Sequence, residues 1–227
     1  MSPIIYLMFL VIIASSGSPI HAVQYQVTNR ATGTPGGTRF ENEIGIPFTQ
    51  QTIQLASQFI LQTFKQIDQF GGKNIEHVSV IVTALNGNSA AITSDNNIFL
   101  DSNYIEGFSG DVRNEVIGIL YHEATHIWQW FGNKEAPRGL TEGVADFMRL
   151  KAGFAPPHWV PRGTGSGWDE GYVVTAYFLD YCNGLRDGFV AMLNAMMKDH
   201  YSDDFFVKLL GKSVDQLWSD YKSVFGN

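Results

Sequence analysis

The stretch "LYHEATHIWQWFGNKEAPRGLTEGVADFMRLKAG", residues 120–153, decides how the chain is read. It is patterned as two helices joined by a turn between Gly132 and Gly139, yet it carries two histidines, three glutamates and an aspartate among its apolar residues. Unpaired charges are almost never left in a core, so these side chains need a partner. In His122-Glu123-Ala124-Thr125-His126 the histidines stand four residues apart, about 40° from each other around a helix. They share one face a single turn apart, which suits two ligands of one metal ion. With six histidines in 227 residues, a His-Glu-x-x-His pattern arises by chance with a probability of roughly 0.006.

A catalytic zinc takes three protein ligands and keeps a fourth position for water. A metzincin continuation would place Gly at 129 and His at 132; the chain has Gln129 and Gly132, and that reading fails. The other continuation is a glutamate on a following helix, and Glu142 opens such a helix. Asp146, one turn further on, is placed to accept the free ring N–H of a ligand histidine. Two other uses compete for these acids: a favourable place near a helix N-terminus, and for Asp146 an ion pair with Arg149. The expected site is therefore Zn2+ held by His122, His126 and Glu142 and supported by Asp146, with Glu123 as general base toward a zinc-activated water. A further donor should stabilise the tetrahedral oxyanion. Tyr172 is preferred for it; Tyr177 and His158, also near the long loop, are the alternatives.

Outward from this segment, apolar residues recur at helical steps from Thr49 to Phe70, and "IEHVSVIVTAL" at 75–85 is rich in β-branched residues between glycines and reads as a strand. Shorter strands are expected at Ser89–Thr93 and Ile98–Asp101, and an edge strand around Tyr25 and Val27 running into a loop through Thr34–Thr38. The two central helices are expected at Val112–Phe131 and Thr141–Ala152. Residues 154–171, "FAPPHWVPRGTGSGWDEG", form a long Pro/Gly loop, and loops of that length are often functional. Helices are expected at Tyr172–Asn183, Asp187–Lys198, near Asp203–Leu210, and at Ser213–Phe225. The fold class is α+β: a small antiparallel-rich mixed sheet, a zincin active-site helix and a mainly helical C-terminal half.

The first 22 residues hold an uncharged apolar run, Ile4–Ala14, then small and turn-forming residues up to Ala22. The run is far short of the roughly 20 residues a spanning helix needs, so it reads as a secretory signal peptide preceding one domain over 23–227. Cys182 is the single cysteine, which rules out an intrachain disulfide. A formal charge of −7 and the absence of any Lys/Arg run argue against a nucleic-acid partner. The expected partner is a peptide or protein substrate, with no stable membrane association after signal cleavage and a monomeric state. Ser166 lacks the G-x-S-x-G spacing of a nucleophile elbow, and Cys182 has no supporting pattern. A protein of a different class stays open: an extracellular binding or defence protein that keeps zinc for its fold and cleaves nothing.

At "YHEATHIWQW" and "GLTEGVADFMRLKAG" the chain resembles the plant basic secretory protein family, pathogenesis-related secreted zinc peptidases akin to the gluzincins. The resemblance extends through "TPGGTRF", "GYVVTAYFLDYCNGLRDGFVAMLNAMM" and "FFVKLLGKSVDQLWSDYK". It implies an extracellular, apoplastic defence protein with a gluzincin-like fold, His122, His126 and Glu142 as zinc ligands and Glu123 as catalytic acid/base. By the gluzincin comparison a substrate would lie along the edge strand before the active helix, expected at "SDNNIFLD", residues 94–101. The family is named for basic proteins, and this chain is acidic.

Overall fold

The computed structural model describes residues 23–67 and 69–226. The expected signal segment, 1–22, lies outside them. The chain opens with β1 (Gln24–Asn29), then a short helix α1 (Pro35–Arg39), which passes through a π-helical turn (Phe40–Ile44) into α2 (Ile46–Thr63). Residues Thr34–Thr38 were expected as a loop, but Thr34 caps α1 by accepting from the Gly37 amide at 3.1 Å, and Pro35 starts the helix with its φ already set. Three strands follow, β2 (His77–Thr83), β3 (Ala91–Ser94) and β4 (Asn97–Asp101), and then a short helix α3 (Ser102–Gly107) started by the Asp101 side chain.

The strands form one sheet in the order β1-β2-β4-β3. It is mixed as expected, but β1–β2 and β2–β4 pair parallel and β3–β4 is the antiparallel pair, so parallel ladders outnumber antiparallel ones. The cause is α2: an 18-residue helix between β1 and β2 carries the chain back to its starting end, so the second strand runs in the direction of the first. Strand order corrects a further expectation. Residues 97–101 are an interior strand, and the edge that faces the active helix is β3. A tight turn at Asp95, in the left-handed region at φ 52°, folds Ala91–Ser94 along the outside of β4. Ile98 and Leu100 are fully buried, as an interior strand requires.

The helical half consists of α4 (Val112–Trp128), α5 (Arg138–Lys151), α6 (Tyr172–Leu185), α7 (Phe189–Met196), α8 (Asp204–Leu210) and α9 (Val214–Phe225). Asp111 caps α4 by accepting from the Asn114 amide at 3.0 Å. The helix ends at Trp128, three residues before the expected Phe131, because Gln129 turns to extended backbone at ψ 154°. One contiguous core runs from the sheet through α2 and α4 into α5 and α6, and an aromatic cluster of Phe178, Phe189, Phe206 and Tyr221 ties α6 to α7, α8 and α9. Among the described residues no helix is long and apolar enough to cross a membrane.

The α5–α6 contact is built on glycine. A Cβ on Gly143 would sit 2.3 Å from Thr175 Cγ2, and one on Gly139 would sit 1.6 Å from the Asp169 carbonyl oxygen. Small residues here let α6 and the end of the long loop close on α5. Gly143→Ala, which overpacks this contact, is expected to destabilise the protein by about 1–3 kcal/mol despite the better helix propensity of alanine, read as a lowered urea midpoint.

Candidate active site

The site is where α4, α5 and β3 meet, at the floor of a cleft of about 1070 Å³. On α4, His122 and His126 project from adjacent turns, with their Nε2 atoms 3.2 Å apart. Glu142, in the first turns of α5, brings Oε2 to 3.3 Å from His122 Nε2 and 3.6 Å from His126 Nε2. These three donor atoms can hold a metal ion. Ligands at about 2.0–2.1 Å from one tetrahedral ion lie about 3.3 Å from each other, and the three separations fall around that value. Two imidazoles and one carboxylate are also a donor set that zinc accepts. The site thus fits the metal in both chemistry and spacing.

Each imidazole is held from behind through its other nitrogen. His122 Nδ1 meets Asp146 Oδ1 at 2.7 Å, and His126 Nδ1 meets the side-chain carboxamide of Gln129 at 2.7 Å. The competing partner for Asp146 is engaged elsewhere, since Arg149 pairs with Glu115 at 2.9 Å. Burial opposes charge on His122, but hydrogen bonds from its ring to Asp146 and Glu142 and the field of Asp146 and Glu123 outweigh it and raise its pKa to about 10. Burial likewise disfavours the Glu142 carboxylate, yet the two histidines hold its pKa well below the usual range. The pocket therefore carries a negative field centred on the Nε2 atoms, one suited to a cation.

Glu123 is buried and turned to β3, where the Thr93 hydroxyl donates to Glu123 Oε2 at 2.6 Å. Tyr172 lies over the site, its ring parallel to that of His122 with centroids 6.1 Å apart. It is half exposed and holds φ at 46°, an uncommon backbone state for a non-glycine residue and one that aims the first side chain of α6 into the cleft. Burial, and after it the Glu142 charge, raises its phenol pKa. The other two oxyanion candidates are elsewhere. Tyr177 packs against Trp159 and under Arg162, and His158 lines a separate, smaller pocket with Phe154 and Pro157.

Two residues of the site carried no role in the sequence. Thr93 gave no signal, because one threonine in a strand is ordinary. Gln129 stood visibly on the histidine face, but its contact with His126 depends on the helix stopping where it does.

A protein family described as peptidase of plants and bacteria, BSP, matches residues 20–221. The chain belongs to this family. A protein named basic secretory protease from Boswellia serrata is 48% identical over 59 residues, 26% of this chain and 67% of that protein. No solved structure matches the chain. The family membership makes the protein a peptidase by descent, which agrees with the expectation raised by the motif and the extended resemblance.

The long loop forms a wall of the cleft through Trp159, and Asp180 of α6 anchors it. Its carboxylate pairs with Arg162 of the loop at 2.5 Å and with Lys151 of α5 at 3.0 Å. Partial burial disfavours that carboxylate, but the two cations overcome it and lower the Asp180 pKa below 3.8. A depressed folded pKa contributes stability that is complete above the unfolded value and is lost as pH falls through the folded one. Asp180→Asn is therefore expected to be less stable than the parent at pH 7, with the gap closing as the pH is taken below the ordinary aspartate range, as measured by urea unfolding across that range.

Proposed function

We propose that this protein is a secreted zinc metallopeptidase, with His122, His126 and Glu142 as the ligands. The observation that carries the proposal is the near-equal spacing of the three donor atoms, 3.2, 3.3 and 3.6 Å, on a cleft floor. Zinc held there would supply Lewis acidity for the scissile carbonyl and would lower the pKa of a water molecule to about 7. Glu123 takes the proton of that water and returns it to the leaving amine. Its hydrogen bond from Thr93 fixes one carboxylate oxygen of a side chain that lines the cleft. Tyr172 donates its phenol proton in a hydrogen bond to the developing oxyanion. Asp146 and Gln129 hold the imidazoles in position behind the ligand nitrogens.

The substrate lies along β3. Asp101 donates its amide to the Ala90 carbonyl at 2.9 Å, so by antiparallel alternation the main-chain groups of Ala91 and Thr93 point away from β4, toward the open edge. An extended peptide can add there through main-chain hydrogen bonds. Secretion is supported by the apolar leader at 1–22, by the start of the family match at residue 20, and by the name of the Boswellia serrata relative. On this reading residues 23–227 are the mature single domain, acting in the apoplast, and the resemblance to pathogenesis-related proteins supports a role in plant defence.

Metal analysis of the secreted protein is expected to find one zinc per chain, and a chelator should abolish cleavage of an unbiased peptide library. Zinc without cleavage would instead fit a binding protein. Glu123→Gln is expected to keep the metal and the fold while losing at least about 100-fold in kcat. Asp146→Ala should weaken zinc binding by about ten- to a hundredfold, measured by competition with a chelating dye, and unchanged affinity would remove it from the site.

A further inference from the structure

Three cations line the cleft: Lys73, Arg138 and Arg149. Arg149 is committed, paired with Glu115 at 2.9 Å and donating to the Phe154 carbonyl at 2.9 Å. The other two are less fully engaged. Lys73 donates to the Ile127 carbonyl at 2.8 Å and lies 5.3 and 5.1 Å from the ring centroids of Trp130 and Phe131. Capping the end of α4 accounts for one of its three N–H groups. Among the described residues it joins no ion pair, although Asp95 lines the same cleft. Burial lowers its pKa to about 8, so the ammonium has lost part of its hydration, and none of the described carboxylates pairs with it. Arg138 has a side chain 84% exposed, and its partner is Glu142 Oε1 at 3.5 Å, whose other oxygen faces the histidines.

Both cations adjoin the connection from α4 to α5: the Ala136 amide, two residues before Arg138, donates to the carbonyl of Phe131 at 3.2 Å. Lys73 packs on the connection that leaves α4, and Arg138 is the first residue of α5 after that connection. Phe131 lies in the connection and also lines the cleft. In a chain of formal charge −7, these are two cations with donors to spare on one cleft, and Lys73 lies over the ring of Phe131. β3 carries a bound peptide past this place, since the turn at Asp95 and Asn96 lines the cleft together with Ile75 and Lys73.

We infer that the end of the cleft bounded by Lys73, Phe131 and Arg138 is a subsite for a carboxylate of the peptide substrate. It rests on the peptidase reading above and gives that site a substrate class: peptides with an acidic side chain near the scissile bond, or with their own C-terminal carboxylate within reach. A carboxylate there receives charge-assisted hydrogen bonds from two donors, while its aliphatic or main-chain part covers the Phe131 ring. Neutral residues at the same place bring no counter-charge to Lys73.

The test uses the mature chain and matched peptides that differ by Glu or Gln at one position, scanned along the sequence, each made with a free C-terminus and as the amide. The member with the carboxylate is expected to be cleaved with about tenfold higher kcat/KM. A Glu/Gln difference that survives amidation assigns the side chain, and an acid/amide difference assigns the terminus; either supports the subsite. In Lys73→Met the preference should fall toward one, with the rate on the neutral peptide changed by less than about twofold; in Arg138→Gln, which also removes a contact to Glu142, the preference should fall toward one whatever happens to the overall rate. Arg138 is too exposed for its replacement to perturb folding, so the test survives a failure of the lysine variant to fold. Equal cleavage of both members by the parent, or variants that slow both members alike, would overturn the inference while leaving the peptidase intact. Should the parent cleave no peptide, the peptidase reading has failed, and the subsite is judged by fluorescence anisotropy of the labelled pairs. Tighter binding of the carboxylate peptide that Lys73→Met abolishes would support it, and equal affinities would sink it.

Discussion

The site depends on the register between α4 and α5. Both helices present their polar residues one turn apart, His122 and His126 on one and Glu142 and Asp146 on the other, so a single alignment satisfies all four. With Asp146 on His122 Nδ1 at 2.7 Å, Glu142 falls between the two Nε2 atoms. A slip of one residue would rotate each partner by about 100° and place two carboxylates against apolar neighbours, at a cost of several kcal/mol. A second crossing fixes the same alignment. Arg149 reaches over Gly118 to Glu115, and a Cβ on Gly118 would meet its Nε at 2.5 Å. The absence of that one carbon lets a guanidinium lie against the helix backbone.

Such burial is expensive, and the balance explains where rigidity comes from. A buried ion pair such as Glu115–Arg149 adds little net stability over an apolar pair of the same size, but loss of one partner costs about 3–5 kcal/mol because the other is left charged and dry. The same asymmetry holds at the histidines. Misalignments are penalised far more than the correct packing is rewarded, which is the behaviour wanted from a scaffold that must hold three donor atoms about 3.3 Å apart. The glycines of α5 serve the same end from the opposite side, since close approach of α6 leaves α5 no room to rotate.

Most of the helices and the spacing of the cluster were legible in the sequence because they are local. An i, i+4 pair lies on one face of a helix whatever surrounds it, so His122 with His126 and Glu142 with Asp146 could be paired before any fold was known. Strand order is not local. Residues 97–101 look like an edge when met just before the active helix, and only the pairing of β2 with β4 shows that β3 lies outside. The loop from 154 to 171 hid the difference between Tyr172, Tyr177 and His158 for the same reason: nothing in the residues states which of the three its path turns toward the cleft. The glycine before Tyr172 was a faint signal, and the positive φ at Tyr172 itself had none. Helix α1 was within reach, since Thr34-Pro35 is a cap followed by a first-turn proline, but its two glycines argue for a loop when read alone. They are there for packing: a Cβ on Gly36 would lie 1.9 Å from the Ser102 carbonyl oxygen.

Thr93 joins two functions that are usually described apart. Its main chain lies on the open edge of the sheet, and its hydroxyl donates to Glu123 at 2.6 Å. On the proposed reading the four-residue strand that carries the substrate also orients the group that moves the proton. β3 is held by β4 on one side and by α4 beneath, so its freedom is largely in the direction of the cleft. A peptide that completes the ladder on the outer edge would remove that freedom and, through Thr93, narrow the orientations open to Glu123. Substrate residues that bind far from the cut bond would then contribute to the rate as well as to affinity, because part of their binding energy goes into holding the base in place. A carboxylate gripped at the α4 end of the cleft, with the peptide drawn taut along β3, is well placed to do that.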